Sequence, residues 1–391
     1  MLSKSLQLLM VCALAGASFA GKVAAQDTVK VGLVMPLTGV LGPVGKQAVA
    51  GARLYVAQHG DMVAGRKIEL MVRDDASVAD NSKRITQELI VSDKVAILGG
   101  GLTPNVLAIA PLVNESKIAT VVMVSGTSIV TERSPYFVRT SWTHAQQASV
   151  LANWAARNGS KRATIIASDW APGHEASGVF AATFAQAGGV IVEALKVPLA
   201  NPDFAPFLQR ARDGNPDTLF VFVPAGQAAI LAKQFVERGL DKSGIKLVGP
   251  GDIADDEDLP GMSDAMIGTL TAGFYSAYHP SAMNKEYVAD FKKANAGVRP
   301  NFISVSAYDG MHLIYQALRK TEGKTDGAAL VEAMKGMAWE SPRGPMSIDP
   351  ATRDVVQDIY IRRIERVDGV LYSVEFETFK AISDPAKLAN K

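Results

Sequence analysis

From Thr28 onward, short β-branched apolar runs alternate with blocks of helical periodicity, and no other feature narrows the possible folds as much. Residues 29–35 (VKVGLVM) predict a strand, 46–58 a helix with Val49, Ala52 and Val56 on one face, 67–73 a strand, 80–92 a helix, 95–98 a strand and 105–114 a helix. The run 118–124 (IATVVMV) predicts a buried parallel strand. The series then restarts, with helices at 143–158, 174–187, 204–212 and 225–238 between strands at 162–168, 190–197, 218–223 and 245–248. Such repetition demands parallel sheets covered by helices through right-handed crossovers. The last third differs: a strand at 269–275, helices at 281–296, 303–320 and 327–336, and strands at 355–364 and 370–376 flanking the hairpin signal Asp368-Gly369. The fold class is therefore α/β, and 391 residues exceed one ordinary core, so two Rossmann-like units are expected.

The N-terminus stands apart. Lys4, an apolar run over 6–20 and small residues beyond it predict a signal peptide over residues 1–25, cleaved after Ala25, with Ala20 the other candidate. The run falls short of the ~20 apolar residues a membrane-spanning helix needs. Cys12, the single cysteine, lies inside it, so the mature chain has no disulfide or thiol chemistry. Lys+Arg 40 against Asp+Glu 39 gives a formal charge of +1, which offers no reason to expect nucleic acid or an anionic membrane as partner.

Enzyme motifs are lacking. Gly99-Gly100-Gly101 lacks dinucleotide spacing, GxxxxGK[ST] and GxSxG do not occur, and His174-Glu175 lacks the second histidine of a zinc helix. No catalytic residue, metal or cofactor is assigned. Asp255-Asp256-Glu257-Asp258 lacks the spacing of a calcium loop and reads as a solvated loop. Four turns carry more information: Leu102-Thr103, Ser125-Gly126-Thr127, 169–173 and Gly251-Asp252. Each follows a strand, and ligands of open parallel sheets sit beyond the carboxyl ends of the strands. The first two belong to one unit and the last two to the other. Across a cleft, the first pair offers hydroxyls and helix N-terminal amides suited to a carboxylate, and the second offers Trp170 and Asp252. Each hydroxyl alone reads as a helix N-cap; the convergence of four turns favours a ligand site.

The stretch PLTG…G…G…GA over 36–52, the pair Asp74-Asp75, DKVAILGGGLTP (93–104), SDWAPGHE (168–175) and AYDG (307–310) together resemble the leucine/isoleucine/valine-binding proteins, the periplasmic receptors of branched-chain amino-acid ABC transporters. The resemblance covers essentially the whole mature chain. It implies a type I periplasmic binding protein fold: two Rossmann-like lobes joined by three hinge crossings, near 140–146, 272–278 and 339–344. Lobe 1 would comprise 27–142 and 275–341, and lobe 2 143–274 and 342–391. It further implies a periplasmic monomer, not an enzyme, that closes by hinge motion on a small molecule and presents the closed form to an ABC permease in the inner membrane.

Carried over by position, the family's carboxylate-binding hydroxyl falls on Thr103, and its small residue and threonine fall on Ser125 and Thr127, with the amides of Leu102, Thr103, Gly126 and Thr127 alongside. The ammonium side departs from the pattern. Val44 stands where the family has an aromatic before Gly45, Pro172 with Trp170 nearby replaces a tyrosine, and the acid after Gly-Pro is displaced from Gly251 to Asp252. An ammonium buried without its cage is costly. The expected ligand is thus a carboxylate, an aromatic or other organic acid before a branched-chain amino acid, with Trp170 and Pro172 on its body and Asp252 on a hydroxyl, amide or ammonium. A sensor reporting to a regulator or membrane receptor would use the same residues.

Overall fold

The computed structural model describes residues 28–225 and 227–388; the expected signal peptide lies outside the described residues. In chain order, β1 (Thr28–Met35), β2 (Met62–Val63), β3 (Arg66–Asp74), β4 (Ile97–Gly100), β5 (Ala119–Val122) and β6 (Phe137–Arg139) form a six-stranded sheet ordered β2-β3-β1-β4-β5-β6. All its pairings are parallel except β2 with β3. Helices α1 (Gly42–His59), α2 (Ala79–Val91) and α3 (Thr103–Ser116) make the crossovers. Because side chains alternate along a strand, Leu33, Met35, Val121 and Met123 enter one core with α1, while Val34, Leu98 and Val122 enter another with Leu89 of α2 and Val106 of α3. With both faces covered, the strands read as continuous apolar runs.

The second lobe repeats the plan with α4 (His144–Arg157), β7 (Arg162–Ser168), α5 (Ala171–Gln186), β8 (Val190–Val197), α6 (Ala205–Asp213), β9 (Thr218–Phe222), α7 (Ala228–Glu237), β10 (Lys246–Pro250) and β11 (Leu270–Gly273). The chain then returns to the first lobe as α8 (Ala282–Ala294), α9 (Phe302–Lys320) and α10 (Gly327–Met334), where α8 and α9 pack on α1. Gly51 of α1 permits the close approach, since a Cβ there would overlap the Ser304 carbonyl. The tail, β12 (Ala338–Ser341), β13 (Gly344–Ile348), β14 (Val355–Val367) and β15 (Val370–Ile382), completes a nine-stranded sheet by pairing β14 antiparallel to β11. Asp368 and Gly369 turn the β14–β15 hairpin with positive φ (50° and 81°), as a type I′ turn requires.

Differences from the expected elements have local causes. Helix α1 begins at Gly42, not 46, because Pro43 lacks an N–H and fits a first turn. Strand β15 runs to Ile382, past 376; it pairs with β14 alone, and its outer half is partly exposed, so no apolar pattern marks it. The β12–β13 hairpin belongs to the second sheet, yet Trp339 of β12 stacks on His312 of α9 and donates to Asp309.

The acidic run is a correction. Expected to be solvated, Asp255 and Asp256 are only 1% and 2% exposed. The Asp255 carboxylate accepts from Asn301 Nδ2, at 3.1 and 2.9 Å, and from the Glu257 amide. Burial pushes Asp255 well above the usual carboxylate range and Asp256 up to about 6, with Arg362 and Arg299 opposing the latter rise. The run ties the second lobe to the start of α9, through partners too distant in sequence to be anticipated.

Buried arginines hold the crossings. Arg343 pairs with Asp309 at 2.8 Å and donates to the carbonyls of Thr140 (2.6 Å) and Ser141 (3.4 Å). Arg362 donates to Thr271 Oγ1 (3.1 Å) and to the Tyr275 carbonyl. Chain leaving a sheet has carbonyls without ladder partners, and a guanidinium supplies several fixed donors at once. Among the described residues, no His/Cys/Asp/Glu cluster is arranged to hold a metal, and no helix is long and apolar enough to cross a membrane.

Candidate functional site

The carboxyl edges of the two sheets meet at a pocket. From the first lobe, Leu41 and Val44 follow β1, Leu102 and Thr103 follow β4, and Val124 and Gly126 follow β5; Phe302 and Ile303 come from the start of α9. The second lobe contributes Trp170 and Pro172 after β7, Phe222, Pro224 and Ala225 at the end of β9, and Asp252 after β10. Trp142 and His144 line it from the first crossing. This is where open α/β sheets bind ligands.

At the first-lobe end, Thr103 opens α3, and its hydroxyl lies 3.0 Å from that of Thr127. The turn Ser125-Gly126-Thr127 is shaped by Arg139, which is fully buried, paired with Asp354 at 2.8 Å, and donates to the carbonyls of Ser125 (3.0 Å), Thr127 (2.7 Å) and Trp142 (2.8 Å). Ser141 Oγ also donates to the Ser125 carbonyl, and the His144 amide to that of Gly126. Occupied by donors, these carbonyls are withdrawn from any anion in the pocket. Gly126 is required here, because a Cβ would overlap His144 Nε2 and lie 2.6 Å from Trp142 Nε1.

The walls are aromatic. Trp142 stacks on Phe274 (5.6 Å) and meets Phe302 edge-on (4.9 Å), and His144 meets Phe222 edge-on (4.9 Å). Burial and the charge of Arg139 lower the His144 pKa to about 3, so the imidazole is neutral at ordinary pH. Opposite, Asp252 is buried and pushed up to about 7, with Arg362 partly opposing. Trp142 Nε1, Trp170 Nε1 and Asp252 Oδ2 have no hydrogen-bond partner within the protein. Buried polar atoms are ordinarily satisfied, so these three leave hydrogen-bonding capacity unused at the pocket.

Leu102, Thr103, Gly126, Trp170, Pro172 and Asp252 thus come together around one pocket, as does Val44. Ser125 and Thr127 are buried outside its lining: Ser125 Oγ donates to the Gly101 carbonyl, and Thr127 faces Thr103. Sequence reasoning passed over Trp142, His144, Phe222, Phe302 and Arg139. The first two follow a short strand directly, which was the available signal; the others sat inside apolar or helical patterns. The lobes also touch beside the pocket. Ser128 donates its amide (3.0 Å) and hydroxyl (2.8 Å) to Glu175, and Gln47 donates to Glu257 (2.9 Å). Burial raises Glu175 to about 7, against these Ser128 hydrogen bonds.

A family model described as periplasmic binding protein matches residues 28–369. The Leu/Ile/Val-binding protein homolog 6 of Brucella melitensis biotype 1 is 41% identical over 379 residues, 95% of this chain and 97% of that protein. A solute binding protein of an ABC transporter from Rhodopseudomonas palustris BisB5, solved in complex with 3,4-dihydroxybenzoic acid, is 58% identical with a TM-score of 0.91, covering 92% of this chain and 99% of its own. A second, from R. palustris HaA2 with p-hydroxybenzoic acid, is 41% identical with a TM-score of 0.89, covering 93% and 100%. With two lobes, a pocket between their sheet edges and this match along nearly its whole length, the chain belongs to the periplasmic binding protein family.

Proposed function

We propose that this protein is the periplasmic receptor of an ABC importer for a hydroxylated aromatic carboxylate. The observation that carries the reading is the polarity of the pocket: neutral donors at Thr103 and the Ser125-Gly126-Thr127 turn, a single buried acceptor at Asp252, and aromatic walls between. Asp252 is the one carboxylate among the described residues lining it. A ring hydroxyl is satisfied by one such acceptor. An α-ammonium brings three donors and a full charge, and a wall of indole, imidazole and phenyl groups leaves most of that unmet. Hydroxybenzoates in the two R. palustris relatives are in keeping with this chemistry.

In this reading Thr103 and the amides of Leu102, Thr103, Gly126 and Thr127 take the carboxylate, with Ser125 and Thr127 supporting them. Trp170 and Pro172 pack on the ring, and Asp252 accepts from the hydroxyl. The lobes, 27–142 with 275–341 and 143–274 with 342–391, close about the three crossings as a monomer, after removal of the signal peptide 1–25. A ligand touching both lobes favours the closed form by its differential affinity, and a membrane permease reads that form.

Thermal unfolding of refolded protein with 1 mM ligand tests the reading. A micromolar Kd stabilises the liganded protein by about 4 kcal/mol at this concentration. We expect 4-hydroxybenzoate and 3,4-dihydroxybenzoate to raise Tm by several degrees and leucine to leave it unchanged. Stabilisation by leucine alone overturns the proposal.

A further inference from the structure

We infer that Trp142 and His144 are specificity-determining residues that give the ligand carboxylate two side-chain N–H donors beside Gly126, so that the anion is bound by neutral rings and not by a cation. The inference rests on the proposed seating of a carboxylate at the Ser125-Gly126-Thr127 turn.

Four observations support it. Both side chains line the pocket and are each only 3% exposed, so neither can satisfy its nitrogens from bulk water. Their Nε atoms converge on the same point, the face of Gly126 in the middle of the turn. The indole N–H is a donor only, it has no acceptor within the protein, and its orientation is fixed by Phe274, Phe302 and the Arg139 bond to its carbonyl. The neighbouring cation is committed elsewhere: Arg139 is held by Asp354 and by three backbone carbonyls.

His144 completes the pair. Its amide is anchored on the Gly126 carbonyl and its ring on Phe222, and Nδ1 has no partner. A neutral imidazole with its proton on Nε2 places a second donor beside the indole. Two donors aimed at one spot donate more strongly to a charged carboxylate oxygen than to the neutral carbonyl of a primary amide, whose NH₂ cannot take that place because donor would face donor. The pocket therefore discriminates an acid from its own amide, which a hydroxyl such as Thr103, donor and acceptor at once, does poorly.

The test compares 4-hydroxybenzoate with 4-hydroxybenzamide in wild type and Trp142→Phe, a change that keeps a ring between Phe274 and Phe302 and deletes the N–H. Titration of wild type should show the acid preferred. In Trp142→Phe the acid should weaken by about ten- to a hundredfold while the amide changes by less than about threefold, so that the preference collapses. ¹⁵N-indole NMR of wild type gives a readout that needs no variant fold. Of the four tryptophan indoles, the Trp142 N–H, told apart from the pocket-lining Trp170 by its NOEs to Phe274 and Phe302, should move strongly downfield on adding 4-hydroxybenzoate and barely with the amide. An unchanged acid-to-amide ratio in Trp142→Phe, or an unmoved Trp142 indole signal, overturns this inference while leaving the receptor reading intact. Failure of wild type to bind any aromatic carboxylate overturns both.

Discussion

Replacing Asp252 with asparagine keeps the side-chain shape and removes a titrating group from the pocket. Burial holds this carboxyl at about 7, against an ordinary 3.8. A folded pKa above the unfolded one means that the native state binds more protons between those two values. The associated stability is therefore fully present below about pH 4 and is lost as pH rises to about 7, after which it stays flat. Each tenfold in proton affinity corresponds to about 1.4 kcal/mol, so the rise from 3.8 to about 7 amounts to about 4 kcal/mol. Asp256 and Glu175, also raised by burial, add to this loss, while His144 and His312, lowered by burial, gain stability as pH rises towards 6.5, so the wild-type curve alone does not report Asp252. Subtracting the Asp252→Asn curve isolates the one group. Urea or thermal unfolding of refolded, ligand-free protein from pH 4.5 to 8 is the assay. The variant's advantage over wild type should widen by about 3 kcal/mol between pH 4.5 and pH 8, or several degrees in Tm. Parallel curves across the range would refute a buried, proton-holding Asp252.

Gly126→Ala should push the Trp142 and His144 rings apart, costing about 1–3 kcal/mol in a denaturant titration and at least tenfold in affinity for a hydroxybenzoate. Thr127→Val removes the hydroxyl that faces Thr103 and should weaken the carboxylate ligand by about tenfold in equilibrium titration without unfolding the protein. Asp354→Ala strands Arg139, which is buried, beside Lys387, which also pairs with Asp354, and should lower stability by about 3–5 kcal/mol; a midpoint within error of wild type would contradict the clamp.

Most of the frame was legible because it follows from periodicity. Runs such as 118–124 are apolar on both faces because helices cover both sides of the sheet, and the turns that follow them fall at the carboxyl edges by topology alone. This is how Thr103, Gly126, Trp170, Pro172 and Asp252 could be placed around one pocket before any coordinates. The parts that stayed hidden depend on long-range pairing. Arg139 is a buried clamp only because Asp354 arrives beside it, and Asp255 is buried only because Asn301 caps α9 there. Charge in a sequence says surface until a partner far along the chain says otherwise. Trp142 and His144 were hidden differently: they sit between a short strand and a capped helix, and only the fold turns both rings toward Gly126.

The most direct measurement is calorimetric titration of the refolded mature protein with 4-hydroxybenzoate, followed by leucine into the same sample and then in the reverse order. The account predicts saturable one-to-one binding of the hydroxybenzoate in either order, with no heat from leucine. Saturable leucine binding that excludes the hydroxybenzoate would contradict it, and would make Asp252 an ammonium partner on an amino-acid receptor.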